Sequence, residues 1–447
     1  QVLLQASAAI LKCVSLFRME PSAARFGEQL PFCEPYWYQG YPSAYYKDSH
    51  RSLRQRARDF VEAEVKPYVD DWLASPQGYP RELHVKAFAA GLPTAGLAQA
   101  VKGAYPAEVT PEGGWDSFHE LVYLDELHRG SAGMVPGQLP INSMALPPLL
   151  AHGAPQLQAL AGPVMRGQVW LCLAISEPQA GSDVAGIRTT ARREAGGFRV
   201  SGQKKWITGG MRADYFTLAV RTGGPGHGGI SLLLVDAASP GLTRRKMPTQ
   251  FDSCHNTAFL SFEDVFVPED RLVGQEGRGF GYLMENFNHE RFILAIEACR
   301  KSRLCYEESI KYAMKRKTFG KALAEQGVIR LKLAEMARLV EALYDNLERV
   351  AFAFSSGVRD RDLGGQCGLL KVNGSRTFEF CAREAAQIFG GNALIREGQG
   401  KLVERLYREV RWTAIPGGSE EIMLDLAIRQ ALRKGQDLAG GQMPAKL

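Results

Sequence analysis

"FRVSGQKKWITGG", residues 198–210, decides the fold. It is a short run of β-branched and aromatic residues closed by glycines, the composition of a strand ending in a turn. Three further runs between residues 168 and 270 share that texture: "YFTLAVRTG", "GISLLLVDA" and "TAFLSFEDVFV". In the last, Leu260 and Phe262 alternate with Ser261 and Glu263, as in a strand with one face buried. On either side the period changes. "SLRQRARDFVEAEVKPYVDDWL" and "SFHELVYLDELHR" have apolar residues three and four apart, and so does most of the chain from Gly279 to Lys434. The order is helices, strands, helices. That excludes a doubly wound sheet, in which the two alternate. No G-x-G-x-x-G follows a strand, so a dinucleotide would not be held in Rossmann fashion. The expected architecture is α+β: an extension over residues 1–46, a helical domain over 47–167, a β-domain over 168–275, a helical domain over 276–440 and a tail over 441–447.

Composition bounds the rest. The 447 residues are 45% hydrophobic with a net charge of +6. No apolar run is long enough to span a bilayer. The small positive excess has no polybasic arm, which argues against nucleic acid and fits mild attraction to an anionic substrate. None of the eight cysteines forms a C-x-x-C, and no histidines form H-E-x-x-H, so neither a disulfide frame nor a metal site is expected. His119 and His128 are too far apart to be a helical ligand pair. Residues 28–46, "EQLPFCEPYWYQGYPSAYY", read as an extended aromatic arm that packs on something, a neighbouring subunit being one possibility. Lys12 and Arg18, with no acid over residues 1–18, faintly resemble a transit peptide, which would point to the mitochondrion. Ala445-Lys446-Leu447 is a close variant of the S-K-L peroxisomal address and carries more weight.

Two segments look built to hold a ligand. "LAISEPQAGSDVAGIRTTA", residues 173–191, sets Ser176, Gly181, Ser182 and Asp183 in a polar loop between apolar runs, where backbone N–H groups and hydroxyls face outward. Trp206 and Thr208, at the strand end quoted first, offer an indole that can stack on a planar ring. With "KRKTFGKAL" and "QIFGGNALIREG", these segments occur in the order and spacing of the acyl-CoA dehydrogenase family, which the chain resembles over about residues 47–440. The resemblance implies an N-terminal helical domain, a barrel-like middle β-domain and a C-terminal four-helix bundle. It also implies FAD, held without a covalent bond. Leu173, Ile175, Ser176 and Ser182 would line the flavin, with Trp206 and Thr208 against the ring. Arg316, Thr318 and Phe319, and Gln387, Gly390 and Gly391, would reach the adenine and pyrophosphate of a neighbouring subunit's cofactor. A site shared in this way implies a homo-oligomer, a dimer or a tetramer. Where the family often has glutamine this chain has Gly327, with Gln326 one residue away.

The reaction needs a base for the proton α to a thioester. Many members carry it in the turn that here reads "AIPGGSEEIMLDLAIRQ", residues 414–430, at the position of Gly417. Glu420 and Glu421 fall in the first turn of the next helix, where they suit its dipole. By resemblance, Ser419 and Glu421 would contact FAD and the Gly417 N–H would bond the thioester oxygen. A second branch of the family places the glutamate on the helix written here "GFGYLMENFNHERFILAIEACR". Phe280, Leu283, Met284 and Phe287 mark its apolar stripe, and the same step reaches Glu290 and Arg291. A buried carboxyl has its pKa raised towards the working range of a base. Glu290 is therefore the expected catalytic base, the alternative being a structural ion pair with Arg291 or other neighbours. Asn288, His289 and Arg291, with Ser182, would contact the acyl-CoA. Electrons would pass to O₂, as in a peroxisomal acyl-CoA oxidase, or to electron-transfer flavoprotein. A DNA-binding branch of the fold carries a basic C-terminal addition, absent from this chain. A nitroalkane-oxidising branch uses aspartate as base, where this chain has Glu290.

Overall fold

The structure is a computed structural model describing residues 25–93, 97–101, 103–130, 138–251, 254 and 256–439. The tripeptide 445–447 and the segment 1–18 lie outside the described residues. Helices longer than ten residues are numbered. In the first domain these are α1 (Asp48–Phe60) and α2 (Ser117–Gly130), joined by shorter turns of helix. In the last they are α3 (Phe287–Lys315), α4 (Gly327–Ser355), α5 (Asp360–Phe389), α6 (Lys401–Ala414) and α7 (Glu420–Ala439). α5 is central, packed against α3, α4, α6 and α7. α2 lies across α3 and α4. One apolar core therefore runs from Leu121 and Leu124 on α2 through Phe292 and Ile296 on α3 to Leu343 and Leu347 on α4.

Between the helical parts lies one curled seven-stranded sheet: β1 (Leu171–Ala174), β2 (Thr190–Glu194), β3 (Gly197–Ile207), β4 (Tyr215–Arg221), β5 (Ile230–Asp236), β6 (Leu242–Lys246) and β7 (Ala258–Pro268). The order is β1-β4-β2-β3-β7-β6, with β5 on β4. β1 runs parallel to β4, while the β2–β3, β3–β7, β4–β5 and β6–β7 pairs are antiparallel. Inward residues such as Phe198, Val200, Phe216, Leu218, Leu260 and Phe262 are fully or nearly fully buried. No described helix is long and apolar enough to cross a membrane.

Two expectations change. The stretch from Gly279 to Arg300 is not one helix. A short helix, Gly279–Met284, stops before α3, and Asn286 stands at the α3 N-cap. The Asn286 side chain caps nothing; its amide donates instead to the Ser143 carbonyl, at 3.3 Å, and to Glu290. The aromatic arm is not extended throughout: Tyr36–Gln39 form a short 3-10 helical turn, and the arm packs on its own chain. Trp37 and Tyr38 are buried, and Trp37 Nε1 donates to the Tyr344 hydroxyl on α4 at 3.2 Å. The physical reason is charge. Glu34, fully buried, lies between Arg58 of α1 (2.9 Å) and Arg300 of α3 (3.1 Å), with Arg129 at 3.7 Å. These guanidiniums hold its carboxyl down at about 2, against the upward push of burial.

Candidate active site

The site begins at the end of β3. The pairing of β3 with β7 slips between Lys204 and Ile207, and Trp206 sits within that slip at φ +67. A bulge re-aims a side chain, and positive φ on a bulky residue is strained unless the surroundings impose it. Here they do. Lys204 is buried beneath the sheet, its ammonium on Glu177 Oε1 at 2.7 Å and on the Ile175 carbonyl at 2.8 Å. Glu177 also accepts from the backbone N–H groups of Arg188 (2.6 Å) and Thr189 (2.9 Å). The Lys205 N–H donates to the Ser176 carbonyl at 2.8 Å. One buried ion pair thus ties both ends of the 175–189 loop to the strand that presents Trp206. Burial pulls Lys204 down to about 8, offset in part by Glu177. The indole that results is 55% exposed, beside the loop bearing Ser176 and Ser182. An exposed, rigidly held indole at the rim of a polar loop fits a planar ring such as a flavin's. Leu173 lies on β1, and Ile175, Ser176 and Thr208 follow directly on from strand ends.

The residues expected to serve a second subunit's cofactor sit elsewhere, at the far end of α3. Lys317–Thr318 and Lys321–Ala322 form a small hairpin with Phe319 and Gly320 at its tip, both at positive φ. Phe319 is 98% exposed. Gln387, Gly390 and Gly391 lie at the end of α5, also exposed. Tyr312 joins the two groups: it stacks on Phe389 at 4.1 Å and accepts from Asn392 at 3.0 Å, four residues before Arg316. Gln326 is the N-cap residue of α4 and Gly327 its first residue.

The turn between α6 and α7 is held from below. The buried Lys371 ammonium donates to the carbonyls of Ala414 and, at 2.8 Å, of Gly418. Gly417 and Gly418 have φ of +67 and +98, which glycine adopts without strain. A Cβ on Gly417 would lie 2.6 Å from Leu294 Cδ1, so this turn faces α3. Glu420 is taken up by Ser375 (2.5 Å) and Arg376 (3.3 Å). Backbone N–H at the α7 start, then the Ser419 hydroxyl, hold Glu421 below the usual carboxylate range.

The first turn of α3 completes the site. The neighbours of Glu290 are all anchored within the chain. Asn288 donates to the carbonyl and side chain of Asp360 on α5, both at 2.8 Å. His289 Nε2 lies on Glu120 of α2 at 2.7 and 2.9 Å. Arg291 donates to Asn288 Oδ1 at 2.8 Å and to the Gly417 carbonyl at 3.3 Å. These polar groups, expected to meet the acyl-CoA, are bonded to protein. Glu290 itself is buried, and its only partner among the described hydrogen bonds is the Asn286 amide, at a long 3.4 Å. Burial raises its carboxyl to about 7, against smaller downward pulls from Asn286, Arg291 and His289. A loosely bonded acid half ionised near neutrality suits proton abstraction.

Glu177, Lys204, Lys371, Glu120 and Asp360 were not singled out in the sequence; each acts on a partner distant along the chain. One group invites a metal reading. His50, Asp116 and His119 converge, but Asp116 Oδ1 already accepts from the Phe118 and His119 N–H groups at 3.0 Å as a helix cap. His50 Nδ1 accepts from the Lys47 N–H at 2.9 Å.

Comparison with known proteins gives this arrangement a family. Family models match three consecutive segments: "Acyl-CoA dehydrogenase, N-terminal domain" at residues 47–166, "middle domain" at 172–265 and "C-terminal domain" at 277–432. "Acyl-CoA dehydrogenase AFT10-1" of Alternaria alternata is 38% identical over 417 residues, 91% of this chain and 96% of that protein. The mitochondrial short-chain specific acyl-CoA dehydrogenase of Bos taurus is 30% identical, over 86% of this chain and 90% of that protein. The crystal structure of a probable acyl-CoA dehydrogenase from Mycobacterium abscessus superposes with a TM-score of 0.79 at 36% identity, covering 87% of this chain and all of that one. With its three domains matched in order, the chain belongs to the acyl-CoA dehydrogenase family, FAD-dependent oxidoreductases that act on the CH–CH bond of an acyl-CoA.

Proposed function

We propose that the chain carries out the first dehydrogenation of fatty acyl-CoA β-oxidation, with Glu290 as the catalytic base. The observation that carries this reading is the contrast on α3: residues 288, 289 and 291 are anchored, while Glu290 is buried and nearly unbonded. Ionised Glu290 takes the α-proton. The Gly417 N–H donates to the thioester oxygen as negative charge builds there; a preorganised donor of this kind lowers the barrier by roughly 3–4 kcal/mol. The bound FAD supplies the acceptor for the β-hydrogen, which leaves as hydride, and the product is the trans-2-enoyl-CoA. Trp206, Leu173, Ile175, Ser176, Ser182, Thr208, Ser419 and Glu421 are the residues that would hold the FAD. The bare, positive-φ Phe319 beside Arg316 and the Gln387–Gly391 turn supports a homo-oligomer in which this face meets a second subunit's cofactor.

Two acceptors remain, each with its own support. Ala445-Lys446-Leu447 supports a peroxisomal enzyme that reduces O₂ to hydrogen peroxide. The names of the relatives, dehydrogenases throughout those cited, support transfer to electron-transfer flavoprotein. The test is to mix the purified flavoprotein with a long-chain acyl-CoA in air and follow flavin absorbance and peroxide together. Repeated peroxide release marks the oxidase. Bleaching that persists in air without peroxide marks the dehydrogenase.

A further inference from the structure

The first turn of α3 holds a charged pair for which the chemistry above has no use. His289 Nε2 faces both oxygens of Glu120, at 2.7 and 2.9 Å. A carboxylate that presents both oxygens to one ring nitrogen is an acceptor, so Nε2 carries hydrogen. Glu120 is 4% exposed and stands in the first turn of α2. Burial pushes His289 down, but the charge and hydrogen bond of Glu120, with Glu290 and Asp360 behind them, outweigh it and the net shift is upward. The other charged groups here are already committed. Asp360 accepts from Asn288, Arg291 turns to Asn288 and Gly417, and Glu285 pairs with His152 at 2.7 Å. His289 and Arg291 are the two cations that act to lower Glu290.

We propose that Glu120 is a positioning residue for the proton-transfer step: it holds His289 as the imidazolium, and that charge favours the ionised form of Glu290. A residue of the N-terminal helical domain thereby tunes an acid of the C-terminal one. The inference rests on Glu290 being the base.

The test uses the FAD-loaded protein as wild type, Glu120→Gln, His289→Gln and the double variant, with Glu290→Gln alongside. The acidic limb of kcat/KM reports the base of the free enzyme. It moves up by about half a pH unit or more in each single variant, the loss expected for one nearby positive charge. The double variant moves no further. Activity of Glu120→Gln at pH 6 then falls about threefold or more, with little change at pH 9. Thermal unfolding supplies a second readout. A histidine whose folded pKa is raised adds stability below its unfolded pKa and loses it as pH rises. The deficit of Glu120→Gln in Tm is therefore larger at pH 6 than at pH 9. An unmoved limb with activity lowered equally at every pH, or a Tm deficit independent of pH, overturns the proposal. If Glu290→Gln is inert while the Glu120→Gln limb stays put, this inference alone fails. An active Glu290→Gln removes the base assignment and this inference with it.

Discussion

Arg291 Nε donates to the carbonyl of Gly417 at 3.3 Å, joining the first turn of α3 to the turn before α7. The bond answers what the Glu290–Arg291 dipeptide left open. The guanidinium is turned to Gly417 and Asn288, and among the described residues the neighbouring carboxyl is left to the Asn286 amide. It also joins the helix that carries Glu290, the proposed base, to the turn that carries Gly417.

A raised acid destabilises the fold it sits in. Glu290 titrates near 7 when folded and nearer the ordinary 4.3 when unfolded, so stability falls as pH rises between those values and is level above them. Glu290→Gln is expected to gain on the order of 2 kcal/mol at pH 8 and little at pH 4. Denaturant unfolding at the two pH values checks it; an equal gain at both contradicts a raised carboxyl.

The Lys204–Glu177 pair holds the loop beside Trp206. Lys204→Met leaves a buried carboxylate without its cation, a change that costs about 3–5 kcal/mol. FAD retention on gel filtration should fall together with Tm. Full retention of flavin would mean that the loop is held by something else.

Gly417→Ala meets two obstacles, a φ of +67 and a Cβ 2.6 Å from Leu294 Cδ1. The expected result is a loss of about 1–3 kcal/mol in stability and a lower kcat, because the turn must shift. A variant with wild-type kcat would remove the Gly417 N–H from the account.

Glu34 anchors the arm among Arg58, Arg129 and Arg300. Glu34→Ala strands buried guanidiniums and is expected to cost about 3–5 kcal/mol. Because its folded pKa is depressed, the contribution is present above the unfolded value and lost as pH falls towards about 2. The Tm difference from wild type should therefore shrink on acidification.

Much of this was legible in the chain and part was not. Alternation in Leu260–Glu263 and the glycine-bounded runs mark the sheet, because a strand's two faces are written every second residue. Helical stepping from Phe280 to Phe287 leads to buried Glu290 even though the helix is broken at Asn286, since Glu290 lies only one turn past the break. The pairs that build the site were hidden. Glu120 and His289 are 169 residues apart, and Asn288 and Asp360 72 apart; only tertiary packing joins them. The seat of the aromatic arm was hidden for the same reason. Its composition promised burial, but the partner, three arginines on its own chain, is not encoded in its local pattern.

The most direct measurement is flavin reduction by an acyl-CoA under anaerobic conditions, wild type against Glu290→Gln, with FAD content matched. The account predicts rapid bleaching of the wild type and a rate about 10²–10⁴-fold lower in the variant, the usual worth of a general base. Bleaching of Glu290→Gln at the wild-type rate would place the base elsewhere and contradict the account.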